Sequence, residues 1–158
     1  MLFRKQIGNW LLAFTFARVG WTEGLTSRLR DDTHILQWEF DNIPLDDVIN
    51  SLRRSQMLWS LPNIYVIESS LPSSYHAISL YRQSWASTCE VISGTKRIDM
   101  SWFKGCCSRG FFTLRIGLKN GRLPKRLFTM KSPVKENVKI EDLTNYIKYQ
   151  YWILERDE

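Results

Sequence analysis

The chain of 158 residues is poor in the residues that build disulfide scaffolds and structural zinc sites. It contains three cysteines and two histidines. An odd and sparse cysteine count excludes a complete disulfide framework and favours a reducing compartment. A zinc site would have to combine Cys106, Cys107, His34 and His76, and adjacent cysteines lack the usual ligand spacing. We therefore expect an intracellular, cytoplasmic protein without structural zinc.

Long hydrophobic runs are also missing from the sequence. Residues 7–19 are fairly apolar, but Asn9 and Arg18 interrupt them, and the run is too short to span a bilayer. No cleavage site with small residues follows. We therefore expect this stretch to fold onto the domain, and we expect no membrane partner.

The composition is that of a soluble globular domain, with 44% hydrophobic and 24% charged residues. The length predicts one domain over residues 1–158. Aromatic residues make up 13% of the chain, and the formal net charge is +6. Both features favour a polyanionic partner, because aromatic rings stack on bases and positive charge attracts phosphates.

Hydrophobic periodicity predicts alternating strands and helices from residue 34 onward. Residues 34–41 alternate apolar and polar side chains, which is the period of a strand with one buried face. Leu45, Val48, Ile49 and Leu52 recur at helical spacing and predict a helix over residues 44–55. Further patterns predict strands at 64–68, 75–81 and 111–119, a helix at 83–93, a short strand at 127–130 and a tail helix at about 140–154.

This order predicts an α+β fold with an RRM-like βαββαβ core, in which an antiparallel or mixed sheet carries helices on one face. The opposite sheet face is expected to stay open, and small modules of this type bind nucleic acid there. The core would span residues 34–119. Residues 1–33 would form an N-terminal extension, with helix and strand both open for residues 10–17, and residues 120–158 a basic hairpin and C-terminal helix.

Acidic residues and one histidine are placed where they could meet on that sheet. Glu39 and Asp41 lie two apart on the first strand and therefore share a face, where both can reach one divalent cation. His76 begins a later strand, and Asp99 follows the second helix. Carboxylates and a histidine in one sheet module suit two-metal phosphoryl transfer. The structural alternatives are a solvated acidic edge, a hydrogen-bonded buried histidine and a helix-capping Asp99.

The second half of the chain contains a long stretch without acidic residues, from Met100 to Lys135. Its basic residues are interleaved with Trp102, Phe103, Phe111 and Phe112. A solvated basic face is the simplest explanation, but the aromatic neighbours favour binding of a nucleic-acid backbone or a triphosphate. The basic residues are Lys104, Arg109, Arg115, Lys119, Arg122, Lys125, Arg126, Lys131 and Lys135.

Three short segments resemble the motifs of the archaeo-eukaryotic primase superfamily. Trp38–Asp41 is similar to its pair of acids, Ser74–His76 to its small-x-His motif, and Ile98–Asp99 to its hydrophobic-Asp motif. The resemblance is closest to the small primase-polymerases of plasmids and viruses. Arg109–Ile116 is similar to the strand that those proteins carry after the last acid. The resemblance covers about residues 34–119.

The resemblance implies Glu39, Asp41 and Asp99 as ligands of Mg²⁺ or Mn²⁺, and His76 as a contact to the phosphates of the incoming nucleoside triphosphate. Glu39 stands where the family usually has Asp. No helicase module accompanies the motifs, so a helicase or other replication protein would act in trans. Further phosphate or template contacts would come from Arg82, Arg109, Arg115 or Lys119.

The leading hypothesis is therefore a primase-like nucleotidyltransferase. It would make or extend short primers on a single-stranded DNA template during replication of a virus or plasmid. The first alternative is a non-catalytic RRM-like module that binds nucleic acid, with structural acids. The second is a metal-dependent nuclease that uses the same acids and His76.

Overall fold

The computed structural model describes residues 2–15, 18–69, 73–119 and 121–153. Within these ranges no helix has the length and apolar character needed to cross a membrane. The strands are β1 Leu2–Ile7, β2 Trp10–Thr15, β3 Arg18–Thr26, β4 His34–Phe40, β5 Ile64–Glu68, β6 Tyr75–Gln83, β7 Thr113–Arg115, β8 Lys125–Met130 and β9 Tyr146–Ile153. The helices are α1 Leu45–Leu58, α2 Trp85–Ser93 and α3 Met100–Arg109, with a 3₁₀ turn at Ile140–Asp142.

The strands form antiparallel sheets, and the prediction of an α+β fold is confirmed. The central sheet has the order β4-β6-β5-β8, the second sheet has the order β7-β3-β9, and β1 pairs with β2. The arrangement of β4, α1, β5 and β6 matches the first half of the predicted core. The RRM-like topology is not confirmed, because β7 pairs with β3 in the second sheet and β8 occupies the edge beside β5.

The main core lies between the central sheet and the helices. Leu36, Trp38 and Phe40 of β4 are fully buried and pack with Val48 and Leu52 of α1. The alternation along β4 therefore places its large apolar side chains on the helix-covered face, as predicted. This packing fixes the strand that carries the acidic pair.

The opposite face of the central sheet is covered, so the prediction of an open face is wrong. Ile35 and Gln37 on that face are fully buried. Ile35 packs in a second cluster with Leu25 and Leu80, and Gln37 donates a 3.2 Å hydrogen bond from Nε2 to the carbonyl of Leu25. The reason is that β3 folds back across the sheet. Residues assigned to an N-terminal extension thus form part of the core.

The predicted tail helix over residues 140–154 is also wrong. This segment forms the 3₁₀ turn and β9, which pairs with β3 from Arg18↔Ile153 to Leu25↔Tyr146. The apolar residues fit a helical period, but half-buried Ile147 and Tyr149 also alternate with exposed neighbours. Pairing with a distant strand decided between these two local patterns. Residue 154 lies outside the described residues.

The remaining helices and strands agree with their predictions in part. The helices predicted at 44–55 and 83–93 are confirmed as α1 and α2, and β5 and β6 match their predictions. The strand predicted at 111–119 is reduced to β7, and α3 precedes it. β8 pairs with β5 rather than with β7, and Lys119 and Arg122 form an isolated antiparallel bridge. Residues 10–15 are strand, and residues 16–17 are outside the described ranges.

Candidate active site

A cavity of about 230 Å³ lies where β4 and β6 of the central sheet meet β7 and β9 of the second sheet. Helix α3 closes another side. Acidic, basic and aromatic side chains converge on this space. Its walls are formed by Glu39, Asp41, Ser69, Ser74, His76, Trp102, Arg109, Thr113, Arg115, Lys119, Ile147 and Tyr149.

Glu39 and His76 face each other across the β4–β6 pairing. Glu39 Oε1 lies 3.9 Å from His76 Nε2. Burial, together with the positive charges of Arg115 and Lys119, lowers the pKa of His76 to about 3. The imidazole is therefore neutral at physiological pH and can donate a hydrogen bond without carrying charge.

Glu39 is held in an environment that disfavours its charge. Burial is the largest cause, and the carboxylates of Asp41 and Asp99 add to it, so that the pKa of Glu39 rises to about 8. Arg115 and Lys119 act in the opposite direction. Without a cation the Glu39–His76 contact is thus mainly between neutral groups at pH 7. A divalent cation bound next to Glu39 would offset the free-energy cost of ionising its buried carboxyl group.

Replacing Glu39 with Gln is expected to stabilise the metal-free protein at alkaline pH by at least about 1 kcal/mol. The folded-state pKa of about 8 lies above the ordinary value of 4.5. The stability contributed by protonated Glu39 is therefore complete below pH 4.5 and is lost as pH rises through 8, whereas Gln stays neutral. Urea unfolding at pH 5 and pH 9 with a chelator measures the difference.

The matched control for this variant is Glu68→Gln at the end of β5, which lies outside the cavity. The prediction is contradicted if Glu39→Gln and Glu68→Gln change stability equally between the two pH values.

Asp41 follows the last residue of β4 and is exposed at the mouth of the cavity. Asn42, the next residue, has a φ of 56°, in the left-handed region where Asn is well tolerated. The chain turns there towards α1. This turn leaves the Asp41 carboxylate on the cavity wall together with that of Glu39.

Asp99 is brought close to Glu39 through the backbone, but its side chain has another role. The amide of Asp99 donates a 2.9 Å hydrogen bond to the carbonyl of Glu39. Its Oδ1 caps α3, accepting from the amides of Ser101 at 2.7 Å and Trp102 at 3.1 Å. Asp99 is not among the residues that line the cavity. The structure therefore places Glu39 and Asp41 on the cavity wall, whereas Asp99 caps α3.

Replacing Asp99 with Ala is expected to lower the free energy of unfolding by about 1 kcal/mol, because the cap of α3 is lost. Asn caps as well as Asp, so Asp99→Asn should stay within a few tenths of a kcal/mol of the wild type. Chemical denaturation of the two variants checks this. Equal stability losses in both would show that the carboxylate charge, rather than the cap, stabilises the fold.

Basic side chains form the wall opposite the two acids. Arg115 is almost fully buried, and its guanidinium donates to the carbonyl of Gly117 at 2.7 Å and to Ser69 Oγ at 2.9 Å. Lys119 and Arg109 also line the cavity. The site thus combines two carboxylates with a fixed guanidinium and two further cations. A triphosphate with bound metal carries the complementary charges.

Arg82 is the predicted phosphate contact that the structure does not bring to this cavity. It lies six residues after His76 on β6, which corresponds to about 20 Å along a strand. There it pairs with Asp31 and, at 3.9 Å, with Asp142. The predicted strand at 75–81 ended before Arg82, whereas β6 extends to Gln83 and carries Arg82 away from the site.

Tyr149 is the main cavity residue that sequence reasoning missed. Burial, followed by the nearby charge of Glu39, raises its pKa to about 12, so the phenol stays protonated. Gly24 on the paired strand makes room for it: a Cβ there would lie 3.0 Å from Tyr149 Cε1 and 2.6 Å from Thr113 Cγ2. A glycine inside a strand pattern signals such a close approach. This signal could not be interpreted, because residues 140–154 were predicted to form a helix.

The acids fit a metal that is bound together with substrate. In the part of the chain that the structure describes, no three His, Cys, Asp or Glu side chains form a group able to hold a metal ion. Mg²⁺ usually keeps several waters and binds through one or two carboxylates plus substrate phosphates. Glu39 and Asp41 would supply those carboxylates. The donor set therefore suits Mg²⁺ or Mn²⁺ arriving with a triphosphate.

Comparisons of the chain with protein-family profiles, with curated proteins and with solved structures find no significant match. The resemblance to the primase superfamily consequently rests on the three short motifs. The functional argument rests on the geometry and electrostatics of the cavity.

Proposed function

We propose that the protein is a primase-like nucleotidyltransferase that makes or extends short primers on a single-stranded DNA template. The observation that carries the proposal is the convergence of two carboxylates, a buried histidine and a fixed guanidinium in one cavity. Three of these groups, Glu39, Asp41 and His76, come from two of the primase-like motifs. The reaction joins a primer 3′-oxygen to the α-phosphate of a nucleoside triphosphate and releases pyrophosphate.

The basic wall would bind the triphosphate. Arg115 is oriented by Ser69 and Gly117, so its guanidinium needs little reorganisation to contact phosphate oxygens. Lys119 and Arg109 add charge at the same cavity. His76 would donate a hydrogen bond to a phosphate oxygen as a neutral imidazole. His76 and Arg115 are buried, so water screens their interactions less than it screens those of exposed Arg109.

The acidic wall would hold the metal. When bound, Mg²⁺ or Mn²⁺ would supply charge stabilisation for the attacking and leaving oxygens of an in-line displacement. Glu39 and Asp41 are the carboxylates that would bind it. Glu39 would lose its proton when the metal and triphosphate enter, since the cation removes the electrostatic cost of its charge.

The competing proposal is a non-catalytic module that binds nucleotides or nucleic acid. One observation favours it: Asp99, the third acid of the primase-like motifs, has Oδ1 committed to capping α3. In that case the basic wall would still bind phosphates, and Glu39 and Asp41 would be structural. Binding would then persist when divalent metals are removed.

Incubation of the full chain with single-stranded DNA, labelled nucleotides and Mg²⁺ or Mn²⁺ tests the proposal. We expect short labelled products that disappear when a chelator is added. DNA binding that survives chelation, with no incorporation under any metal condition, would overturn the proposal in favour of the binding module. A shortened template without incorporation would indicate a nuclease.

A further inference from the structure

A second, open groove of about 560 Å³ lies beside the candidate active site. One wall comes from the loop after β3, the other from the segment that leads into β9, and Phe111 lies at one side. The groove is lined by basic, aromatic and other side chains, among them Arg28, Arg30, Phe111, Thr144, Tyr146 and Ile147.

One exposed and one half-buried aromatic ring, together with two exposed arginines, give this groove the chemistry of a single-strand binding surface. Tyr146 is 57% exposed, and Phe111 is half-buried. Arg28 and Arg30 are exposed. Asp32 is the acid on the groove wall, and it pairs with Arg28 at 2.6 Å. The groove therefore offers rings for stacking beside a net positive charge.

Hydrogen bonds hold the two walls of the groove together. The amide of Thr26 donates to the carbonyl of Asn145 at 2.9 Å, and Asn145 Nδ2 donates to the carbonyl of Arg28 at 2.7 Å. Arg30 Nε donates to Thr144 Oγ1 at 3.3 Å. The walls are thus fixed relative to each other before a ligand binds, which lowers the entropy cost of binding.

The groove adjoins the cavity of the candidate active site. Ile147 lines both spaces. Arg109 lines the cavity, and its Cζ lies 5.8 Å from the centre of the Phe111 ring, which lines the groove. A strand lying in the groove would therefore meet aromatic and basic side chains up to the cavity.

We propose that this groove binds single-stranded nucleic acid, with unstacked bases on Tyr146 and Phe111 and phosphates near Arg28 and Arg30. A single strand fits because aromatic rings can stack only on bases whose faces are free, and every base has such a face. An acidic peptide would use the arginines but not the exposed rings. Identification of the bound strand as the template rests on the proposed function.

Replacement of Tyr146 with Ala tests the groove directly. We expect the Kd for a fluorescent oligothymidine, measured by anisotropy, to rise by about 5- to 100-fold, because one base loses its stacking partner. Tyr146→Phe should bind like the wild type. Trp21→Ala is the matched control: Trp21 is 63% exposed on the paired strand β3 but does not line the groove. Thermal unfolding checks that each variant is folded.

The variant Arg30→Gln provides a second, independent test of the groove proposal. Loss of one phosphate contact should reduce the slope of log K against log salt by about 0.7. Unchanged oligothymidine affinity in both Tyr146→Ala and Arg30→Gln would overturn the groove proposal, as would wild-type protein that binds no oligothymidine.

The nucleotide-incorporation assay separates this proposal from the proposed function. Protein that binds oligothymidine through Tyr146 but incorporates no nucleotide supports the groove and contradicts nucleotidyl transfer. Protein that incorporates nucleotides, with wild-type oligothymidine affinity in both Tyr146→Ala and Arg30→Gln, contradicts the groove alone.

Discussion

Replacing Asp41 with Asn is expected to lower nucleotide incorporation on the order of 1,000-fold or more. Asp41 is one of two carboxylates on the cavity wall, and Asn removes the negative charge while keeping nearly the same shape. Loss of about 4 kcal/mol of transition-state stabilisation, which is reasonable for a weakened metal site, corresponds to that factor. Product formation by the purified variant, compared with the wild type at equal concentration, measures the effect.

The control for Asp41→Asn is Asp46→Asn. Asp46 is an exposed acid in the first turn of α1, outside the cavity. Its replacement removes the same charge a short distance away and should change incorporation less than about threefold, because exposed charges are screened by salt. Equal activity in Asp41→Asn and the wild type would remove Asp41 from the site. Equal loss in both variants would indicate a general charge effect.

Replacing Trp38 with Ala is expected to lower the free energy of unfolding by about 3 to 5 kcal/mol. Trp38 is fully buried in the main core, and its Nε1 donates a 2.9 Å hydrogen bond to Thr95 Oγ1. Thr95 Oγ1 is also within 2.8 Å of Ser55 Oγ, so the indole joins α1 and the end of α2 to β4. The substitution leaves a cavity in the core. It also removes the indole N–H that donates to the buried Thr95 hydroxyl.

The matched control for Trp38→Ala is again Trp21→Ala, which removes an indole that is 63% exposed. We expect it to change stability by about 0.5 kcal/mol or less. Urea denaturation of both variants gives the comparison. A similar decrease in the free energy of unfolding for both variants would mean that packing around Trp38 does not stabilise β4. Since Glu39 follows Trp38 on the same strand, a loosened β4 would also disturb the acidic pair.

The first half of the central sheet could be predicted because its signals are local. The alternation of Leu36, Trp38 and Phe40 and the helical spacing in α1 each decide one element without reference to a partner. The same local reasoning placed Glu39 on this strand, and Asp41 follows its last residue. The register of β4 and β6 then brings His76 opposite Glu39.

The rest of the fold depended on contacts between distant segments. The pairing of β3 with β9 and of β3 with β7 determined both the second sheet and the covered face. No local pattern in residues 140–154 distinguishes this strand from a helix. Tyr149 was therefore missed, and the position of Arg82 at the far end of β6 could not be anticipated from its place in the sequence.

Asp99 shows why a motif residue needs its structural context. A carboxylate just before a helix can ligate a metal or cap the helix, and the two roles look alike in sequence. Helix α3 was not predicted, so the capping role could be stated only as an alternative. The hydrogen bonds to Ser101 and Trp102 show that Asp99 does cap this helix.

A crystal structure with Mn²⁺ and a non-hydrolysable nucleoside triphosphate tests the central claim most directly. We expect an anomalous Mn²⁺ peak in contact with the carboxylates of Glu39 and Asp41. The triphosphate should lie against His76, Arg115 and Lys119. A triphosphate bound elsewhere, or one bound in the cavity without Mn²⁺ at these two acids, would contradict the account.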